Sequence, residues 1–293
     1  MRIHLYTVCW NEADMLGFFF RQYDPIVDRY LVYDNGSTDG SLDILNAHPK
    51  VELRRFEQTH AESFVLSHQQ FQNEAWKESR HEADWVIVTA IDEHLEVAGR
   101  NNRKYLKSVH NYGVTLIPAI GLQMISEDEP RQGERLASTR TLGAFWDVMS
   151  KLSVFDPNKI VETNFTVGRH GAMPIGETRL PRCDELMLLH YKYLGFERTL
   201  ARQAALGNKI GPADRANNFG YQYFWSPERL RADWDHVASN CVDISTSAFL
   251  PYRIPGLTRW WRPEGFVDVN AGGQLKAGSI ARRLRSIWSN RNE

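Results

Sequence analysis

Three absences narrow the classes of protein to which this chain of 293 residues belongs. It has only three cysteines, widely spaced, which excludes a disulfide framework and indicates a reducing compartment such as the cytoplasm. No apolar run approaches the roughly 18 residues that cross a bilayer, and we expect no signal peptide because a strand pattern begins at Ile3. The net charge is −1, so no basic field argues for a nucleic-acid partner.

The sequence also lacks the glycine-rich loops that commonly bind phosphates. The turn at 34–38 contains neither G-x-G-x-x-G nor Gly-Lys-Ser/Thr. Instead, the apolar stretch 30–33 ends in Asp34 and a turn of small residues follows it. Ligands of open α/β sheets bind beyond the carboxyl ends of the strands, so Asp34 is expected to accept a hydrogen bond from an imide N–H or a ribose hydroxyl.

Strand and helix periodicities alternate through residues 1–118. This alternation predicts an α/β fold with a mostly parallel, Rossmann-like sheet and helices on both faces. After Pro118 the pattern loosens into a second half, 119–293, which is rich in aromatic residues and is expected to pack with the first half as one unit. The predicted strands are 3–9, 29–34, 51–56, 84–91 and 113–118, and the predicted helices are 11–23, 40–47, 62–80, 101–110 and 195–207.

A second carboxylate, Asp92, follows the apolar strand 84–91, and His94 lies two residues further on. Residues i and i+2 of an extended chain face the same way, so the two side chains are expected to bind one ion together. A hard oxygen ligand with an imidazole suits Mn²⁺, and Mg²⁺ less well.

Three segments in this order resemble the nucleotide-binding half of family 2-type glycosyltransferases, which have the GT-A fold. They are Cys9-Trp-Asn-Glu12, Tyr33-Asp-Asn-Gly-Ser-Thr-Asp39 and Trp85-Val-Ile-Val-Thr-Ala-Ile-Asp-Glu-His-Leu95. Segment 150–157, His170 and Leu189-His-Tyr-Lys-Tyr193 resemble, more loosely, the later part of a bacterial subgroup whose motif ends in H-Y. Residues beyond about 210 match no family pattern.

The resemblance implies roles for particular residues. Asn11 and Glu12 would lie near the nucleoside, Asp34 near the base and ribose, and Asp92 would bind a metal ion that bridges the diphosphate. The first aspartate of the family's D-x-D falls on Ala90 in this chain. The register Asp92-x-His94 supplies the missing ligand and is similar to the D-x-H of polypeptide N-acetylgalactosaminyltransferases. Those enzymes retain anomeric configuration whereas family 2 enzymes invert it, and the overall pattern favours inversion.

Two further groups are needed for glycosyl transfer. A divalent cation must neutralise the diphosphate leaving group, and we expect a late histidine to help to hold it: His190, which follows an apolar run and is predicted at a strand end, or alternatively His170. Lys151 is expected to contact the nucleotide, and Arg169, Lys192 and Lys209 are further candidates for the diphosphate. An inverting reaction also needs a base. Asp128 is the first candidate, and Glu127, Asp147, Asp184 and Glu185 are alternatives.

The second half carries features that suit a sugar acceptor. The aromatic segment 217–225 and the pair Trp260 and Trp261 are candidate sugar-stacking surfaces, with core packing as the alternative. A basic amphipathic helix is predicted over 277–288, either packed on its own domain or touching the inner face of the plasma membrane near a lipid-linked acceptor.

The leading interpretation is a metal-dependent, inverting glycosyltransferase that moves a sugar from a UDP-sugar to a glycan or lipid-linked acceptor. The bacterial subgroup implies surface polysaccharide synthesis, including lipopolysaccharide. Two alternatives stay open: a sugar nucleotidyltransferase, and a degenerate glycan-binding protein without catalysis. The acidic loop at 10–14 argues against the first of these, and the retention of Asp34, Asp92 and His94 argues against the second.

Overall fold

A computed structural model describes residues 1–245, 249–254, 257 and 259–262. Within them, the expected α/β fold, with a central sheet between helices, is confirmed. The strands are β1 Ile3–Cys9, β2 Arg29–Asp34, β3 Val51–Arg55, β4 Trp85–Val88, β5 Glu93–Val97, β6 Leu116–Ser126, β7 Leu142–Phe145, β8 Lys151–Phe155, β9 Ile160–Glu162, β10 Ile175–Gly176, β11 Leu186–Leu194 and β12 Val242–Asp243. The α-helices are α1 Ala13–Tyr23, α2 Ser41–Ala47, α3 Phe64–Glu74, α4 Asn102–Asn111, α5 Leu136–Thr139, α6 Phe196–Lys209, α7 Pro212–Ala216 and α8 Pro227–Ser239.

The large sheet has the order β12-β7-β6-β8-β4-β1-β2-β3, and β11 lies beside both β6 and β5. Strands β4, β1, β2 and β3 are parallel to one another, as the alternating pattern predicts. Beyond β4 the sheet is mixed, because β8 lies antiparallel between β4 and β6. The carboxyl ends of β1, β2 and β4 therefore meet at one edge, where the loops that follow them come together.

The core consists of a layer on each face of the sheet. Helices α1, α2 and α4 pack on one face through apolar side chains such as Leu16, Phe19 and Leu106. The other face is covered by α3 and by a short 3₁₀ helix that carries the buried Trp76. Because β1, β2 and β4 are largely buried on both sides, they are mostly apolar, whereas the edge strand β3 is only partly buried and carries Glu52, Arg54 and Arg55.

Several boundaries differ from the sequence-based expectation, among them that of the helix expected over 62–80, since α3 ends at Glu74 and a 3₁₀ helix follows it. The strand expected over 84–91 ends at Val88, because the chain turns at Ala90, whose carbonyl accepts a hydrogen bond from the backbone N–H of Glu93 at 3.2 Å. A separate strand, β5, follows the turn. The strand expected over 113–118 begins at Leu116 and continues to Ser126.

The predicted amphipathic helix at 277–288 lies outside the described residues. Among the helices within the described ranges, none is long and apolar enough to cross a membrane.

Candidate functional site

The loop after β1 is joined to the loop after β2 by Asn11. This residue adopts a positive φ of 50°. Its backbone N–H donates to Ser37 Oγ at 2.9 Å, and its side-chain oxygen accepts the N–H of Thr38 at 2.7 Å. Asparagine tolerates this left-handed conformation better than most residues and has the acceptor that the second loop needs. Asn11 therefore positions the edge at which a nucleoside is expected.

Asp34 ends β2 and organises the turn that follows. Its carboxylate accepts the N–H groups of Gly36 at 2.9 Å and Ser37 at 3.2 Å. Gly36 has a φ of 77°, which a residue with a side chain adopts only with strain. The half-buried carboxylate is thus oriented by backbone donors and keeps acceptor capacity for a ligand, since an ionised carboxylate offers about four lone pairs.

Glu12 is held by an arginine from the second half of the chain. Arg202 of α6 pairs with the Glu12 carboxylate and donates to the carbonyls of Asn11 at 2.9 Å and Trp10 at 3.2 Å. Burial raises the pKa of Glu12 to about 8, although Arg202 opposes this shift. In either protonation state, the Glu12–Arg202 pair adds no net negative charge to the loop that would face a diphosphate.

Asp92 and His190 meet at the same edge of the sheet. Asp92 lies in the turn before β5 and its side chain is 35% exposed, and His190 Nε2 is 3.3 Å from Asp92 Oδ2. The Tyr191 N–H donates to the Asp92 carbonyl at 2.8 Å, so β11 fixes this turn. Burial acts to raise the pKa of Asp92, but the adjacent His190 outweighs it and holds that pKa below its ordinary value. The sequence predicts His190 at the end of a strand, but it lies in the middle of β11.

His94 does not join Asp92 in this arrangement. The i, i+2 argument requires an extended chain, but residues 91 and 92 form a turn and the chain is extended only from Glu93. The His94 ring is fully buried between the rings of Tyr23 and Tyr191, with centroids 6.1 and 5.0 Å away. Neither ring nitrogen has a hydrogen-bond partner among the described residues. The structure therefore places His94 in the core, on the opposite face of β5 from Glu93.

The burial of His94 predicts an acid-sensitive fold. Burial lowers its pKa to about 3, whereas the unfolded chain binds this proton at about pH 6.5. The resulting stability is present above the unfolded pKa and is lost as pH falls towards the folded one. Between about pH 7.5 and 5, we expect the free energy of unfolding, measured with urea, to fall by about 2 kcal/mol more in the wild type than in His94→Leu.

The other buried histidines occur in both proteins and cancel in this difference. Equal pH dependence of the two proteins would contradict the placement of His94. A loss of Mn²⁺ binding in His94→Leu would instead support the hypothesis that His94 is a metal ligand.

Lys151 is buried, although it was expected to contact a nucleotide. Its Nζ is 2.7 Å from Glu93 Oε1, and the buried Arg169 pairs with the other oxygen of the same carboxylate. Glu93 also accepts the Ala90 N–H at 3.1 Å. Burial would raise the pKa of Glu93, but the two cations hold it well below its ordinary range. The Glu93–Lys151–Arg169 cluster therefore supports the turn that carries Asp92, a role that no sequence pattern indicated.

The carboxylates considered as a base lie in different environments. Asp184 is fully buried and is bound by Arg259, Arg262 and the Trp261 indole N–H, so its position contradicts a role as base. Glu127 accepts the indole N–H of Trp234 at 2.8 Å.

The remaining candidates for the base are nearer the surface. Asp128, beyond the end of β6, and Asp147 are exposed. Asp147 follows Trp146, whose ring is 6.4 Å from that of His190. Glu185 forms an ion pair with Arg100.

The remaining histidine and lysine candidates lie in three different environments. His170 Nδ1 lies 2.8 Å from the Val148 carbonyl, and burial lowers the pKa of His170 to about 3. Lys192 lies two residues after His190 in β11, where the strand register is irregular, and it forms no ion pair with a described residue. Burial lowers the pKa of Lys192 to about 8, against the influence of Asp92. The Lys209 ammonium lies 5.0 Å from the Trp10 ring.

The aromatic candidates divide into exposed and buried groups. Tyr221 and Phe224 are exposed beside α6, as a stacking surface requires. Trp260 and Trp261 are buried, and their indole N–H groups donate to the Ser150 carbonyl and the Asp184 carboxylate. This pair therefore belongs to the core, which was the alternative to a sugar-stacking role.

Comparison with known proteins leaves this chain without a family assignment. No family model matches it, and no curated protein matches it.

Among solved structures, glucosyl-3-phosphoglycerate synthase from Mycobacterium tuberculosis, in complex with Mn²⁺, UDP and glucosyl-3-phosphoglycerate, is 17% identical over 41% of this chain and 44% of that one, with a TM-score of 0.27. The mannosyltransferase PcManGT from Pyrobaculum calidifontis, in complex with GDP-Man and Mn²⁺, is 15% identical over 53% of this chain and 44% of that one, with a TM-score of 0.28. A 4-diphosphocytidyl-2C-methyl-D-erythritol synthase is 10% identical over 54% of this chain and 76% of that one, with a TM-score of 0.29. The chain thus spans less than half the length of the first two proteins, and TM-scores this low assign it neither a fold family nor an activity.

Proposed function

We propose that this chain is a metal-dependent glycosyltransferase with the GT-A fold that uses a nucleotide-sugar, specifically a UDP-sugar. The observation that carries the proposal is the meeting of Asp92 and His190, 3.3 Å apart, at the carboxyl edge of the parallel strands. The loops after β1 and β2, joined through Asn11, border the same edge. An edge of this kind is where open α/β sheets bind nucleotides.

The donor set suits a divalent cation that is bound partly by its substrate. Among the described residues, no group of three or more His, Cys, Asp or Glu side chains could hold a metal ion. Asp92 and His190 therefore supply two ligands, and phosphate oxygens and water must complete the coordination. Mg²⁺ is commonly bound in this way, through one or two carboxylates and substrate phosphates, and an imidazole ligand shifts the preference towards Mn²⁺. When bound, the cation would neutralise charge that develops on the leaving diphosphate.

The chain's own residues would perform three tasks. Asn11 and Asp34 would orient the nucleoside through the two joined loops. Lys192 would place a positive charge against the diphosphate, since Asp92 influences its pKa and it has no described ion-pair partner. An exposed carboxylate would take the acceptor's proton. Asp147 is supported by the proximity of Trp146 to His190, and Asp128 is the second candidate.

The acceptor side of the proposal is a glycan or a lipid-linked glycan, with inversion at the anomeric carbon, in bacterial surface polysaccharide synthesis. The exposed rings of Tyr221 and Phe224 support a sugar-binding surface in the second half. The division of labour between residues 1–118 for the donor and 119–293 for the acceptor belongs to the same proposal.

Calorimetry with UDP, GDP and CMP, each with and without Mn²⁺, tests the donor assignment. We expect UDP to bind and to require the metal, and we then expect release of UDP from one member of a panel of UDP-sugars. Binding of no nucleotide, or binding unaffected by the metal, would overturn the proposal. Metal-dependent UDP binding without turnover of any UDP-sugar would favour the glycan-binding alternative.

Replacing Lys192 tests the proposed diphosphate contact. Lys192→Met keeps the length of the side chain but removes its charge, and loss of a charged hydrogen bond costs about 1.5–3 kcal/mol. We expect UDP affinity to fall about tenfold or more, with uridine affinity unchanged. Lys107→Met, which removes an exposed charge from α4, is the matched control. An equal loss of UDP and uridine affinity would show that Lys192 acts on the fold and not on the diphosphate.

A further inference from the structure

The ring of His190 lies between two oxygen acceptors. Its Nδ1 is 2.8 Å from Gln123 Oε1, and its Nε2 is 3.3 Å from Asp92 Oδ2. A neutral imidazole carries a hydrogen on only one of its nitrogens, so it cannot donate to both oxygens. Which nitrogen carries the hydrogen decides which one can bind a cation.

The orientation of the Gln123 amide settles this choice. Gln123 is 3% exposed, and its Nε2 donates to the carbonyls of Met124 at 2.9 Å and His190 at 3.1 Å. Both partners are carbonyls, which only accept hydrogen bonds, so the NH₂ group must face them and Oε1 must face the histidine. The strand register builds this contact, because Gln123 of β6 lies directly opposite His190 of β11.

The remaining contact then needs a positive charge. With the hydrogen on Nδ1, the lone pair of Nε2 points at a carboxylate oxygen 3.3 Å away. Two electron-rich atoms at this distance repel each other unless a second ring proton or a metal cation lies between them. Metal-bound histidines commonly donate their other ring N–H to an oxygen acceptor, which fixes both the tautomer and the orientation of the ring.

We propose that Gln123 is a positioning residue for the metal site: it holds the hydrogen of His190 on Nδ1 and so presents Nε2 to a divalent cation shared with Asp92. The metal part of this inference rests on the proposed function. The tautomer part concerns the protein alone and is measured without metal.

Gln123→Met tests both parts, because methionine preserves length and burial but removes the acceptor. In metal-free protein at alkaline pH, ¹⁵N NMR of the histidine ring should show the His190 tautomer shifting towards Nε2–H relative to wild type. Calorimetry with Mn²⁺ in the presence of UDP should show that the affinity for Mn²⁺ falls about 10- to 100-fold. The matched control is Gln22→Met at another glutamine, which is 1% exposed and donates to the Leu95 carbonyl away from the site. The control should lower stability and leave both the tautomer and Mn²⁺ affinity unchanged.

The outcomes separate this inference from the proposed function. An unchanged tautomer in Gln123→Met overturns the inference, and so does a tautomer shift with unchanged Mn²⁺ affinity. A wild-type protein that binds no Mn²⁺ in the presence of UDP overturns the proposed function together with the metal part. In that case the tautomer measurement still decides whether Gln123 controls His190.

Discussion

Asp92→Asn should abolish Mn²⁺-dependent UDP binding while leaving the fold intact. Asparagine preserves the size of the side chain but removes its negative charge. The Asp92 carboxylate is one of only two protein ligands proposed for the cation. We expect UDP affinity in the presence of Mn²⁺ to fall about 100-fold or more, equivalent to about 2.7 kcal/mol. Calorimetry of the variant beside the wild type measures this change.

The fold should survive because the structural role of Asp92 is carried by its backbone. Its carbonyl accepts the Tyr191 N–H, and the substitution does not alter that bond. The side chain is partly exposed, so its change should move the urea midpoint little. Asp235→Asn, at an exposed position on α8, removes the same charge away from the site and should bind UDP like the wild type. Unchanged UDP affinity in Asp92→Asn would refute the metal assignment.

Glu93→Gln should be the most destabilising of the substitutions considered. The wild-type cluster contains one buried carboxylate and two buried cations, Lys151 and Arg169. Removing the carboxylate leaves both cations buried without their counter-charge, and breaking a buried pair in this way typically costs about 3–5 kcal/mol. The loss should appear as a lower urea midpoint and a lower free energy of unfolding.

Lys151→Met provides the matched comparison. It removes one positive charge from the same cluster, whereas Glu93→Gln removes the only negative one. It leaves Glu93 and Arg169 as a single neutralised pair, so we expect a clearly smaller loss than in Glu93→Gln. The double variant should recover part of the stability lost in Glu93→Gln, since only one cation then remains. If Lys151→Met were the more destabilising single change, the charge-balance argument would be wrong. If it instead abolished UDP binding in a stable protein, Lys151 would regain its sequence-based role.

The local pattern of the chain was sufficient to locate the parallel strands and the carboxylates that follow them. β1 and β2 begin and end at their predicted bounds, because buried strands produce apolar runs and turns produce breaks that are readable in one segment. Asp34 and Asp92 were placed at strand ends by the same reasoning. The pattern failed at 89–93, because Thr89-Ala90-Ile91 extends the apolar run of β4 into a tight turn, which then resembles a continued strand. That turn is also why His94 was assigned to the wrong face.

By itself, the sequence therefore determined the α/β class and the positions of Asn11 and Asp34 after β1 and β2, since each follows from an element and its own turn. Only the tertiary structure decided which side chains meet Asp92. His190 and Gln123 are 67 residues apart, and Arg202 and Glu12 are 190 apart. A hydrophobic period reports which face of a strand is buried, but not which strand lies beside it or in what register. The pairing of β11 with β5 and β6 set that register, and it placed His190 at the edge of the sheet and His94 in the core.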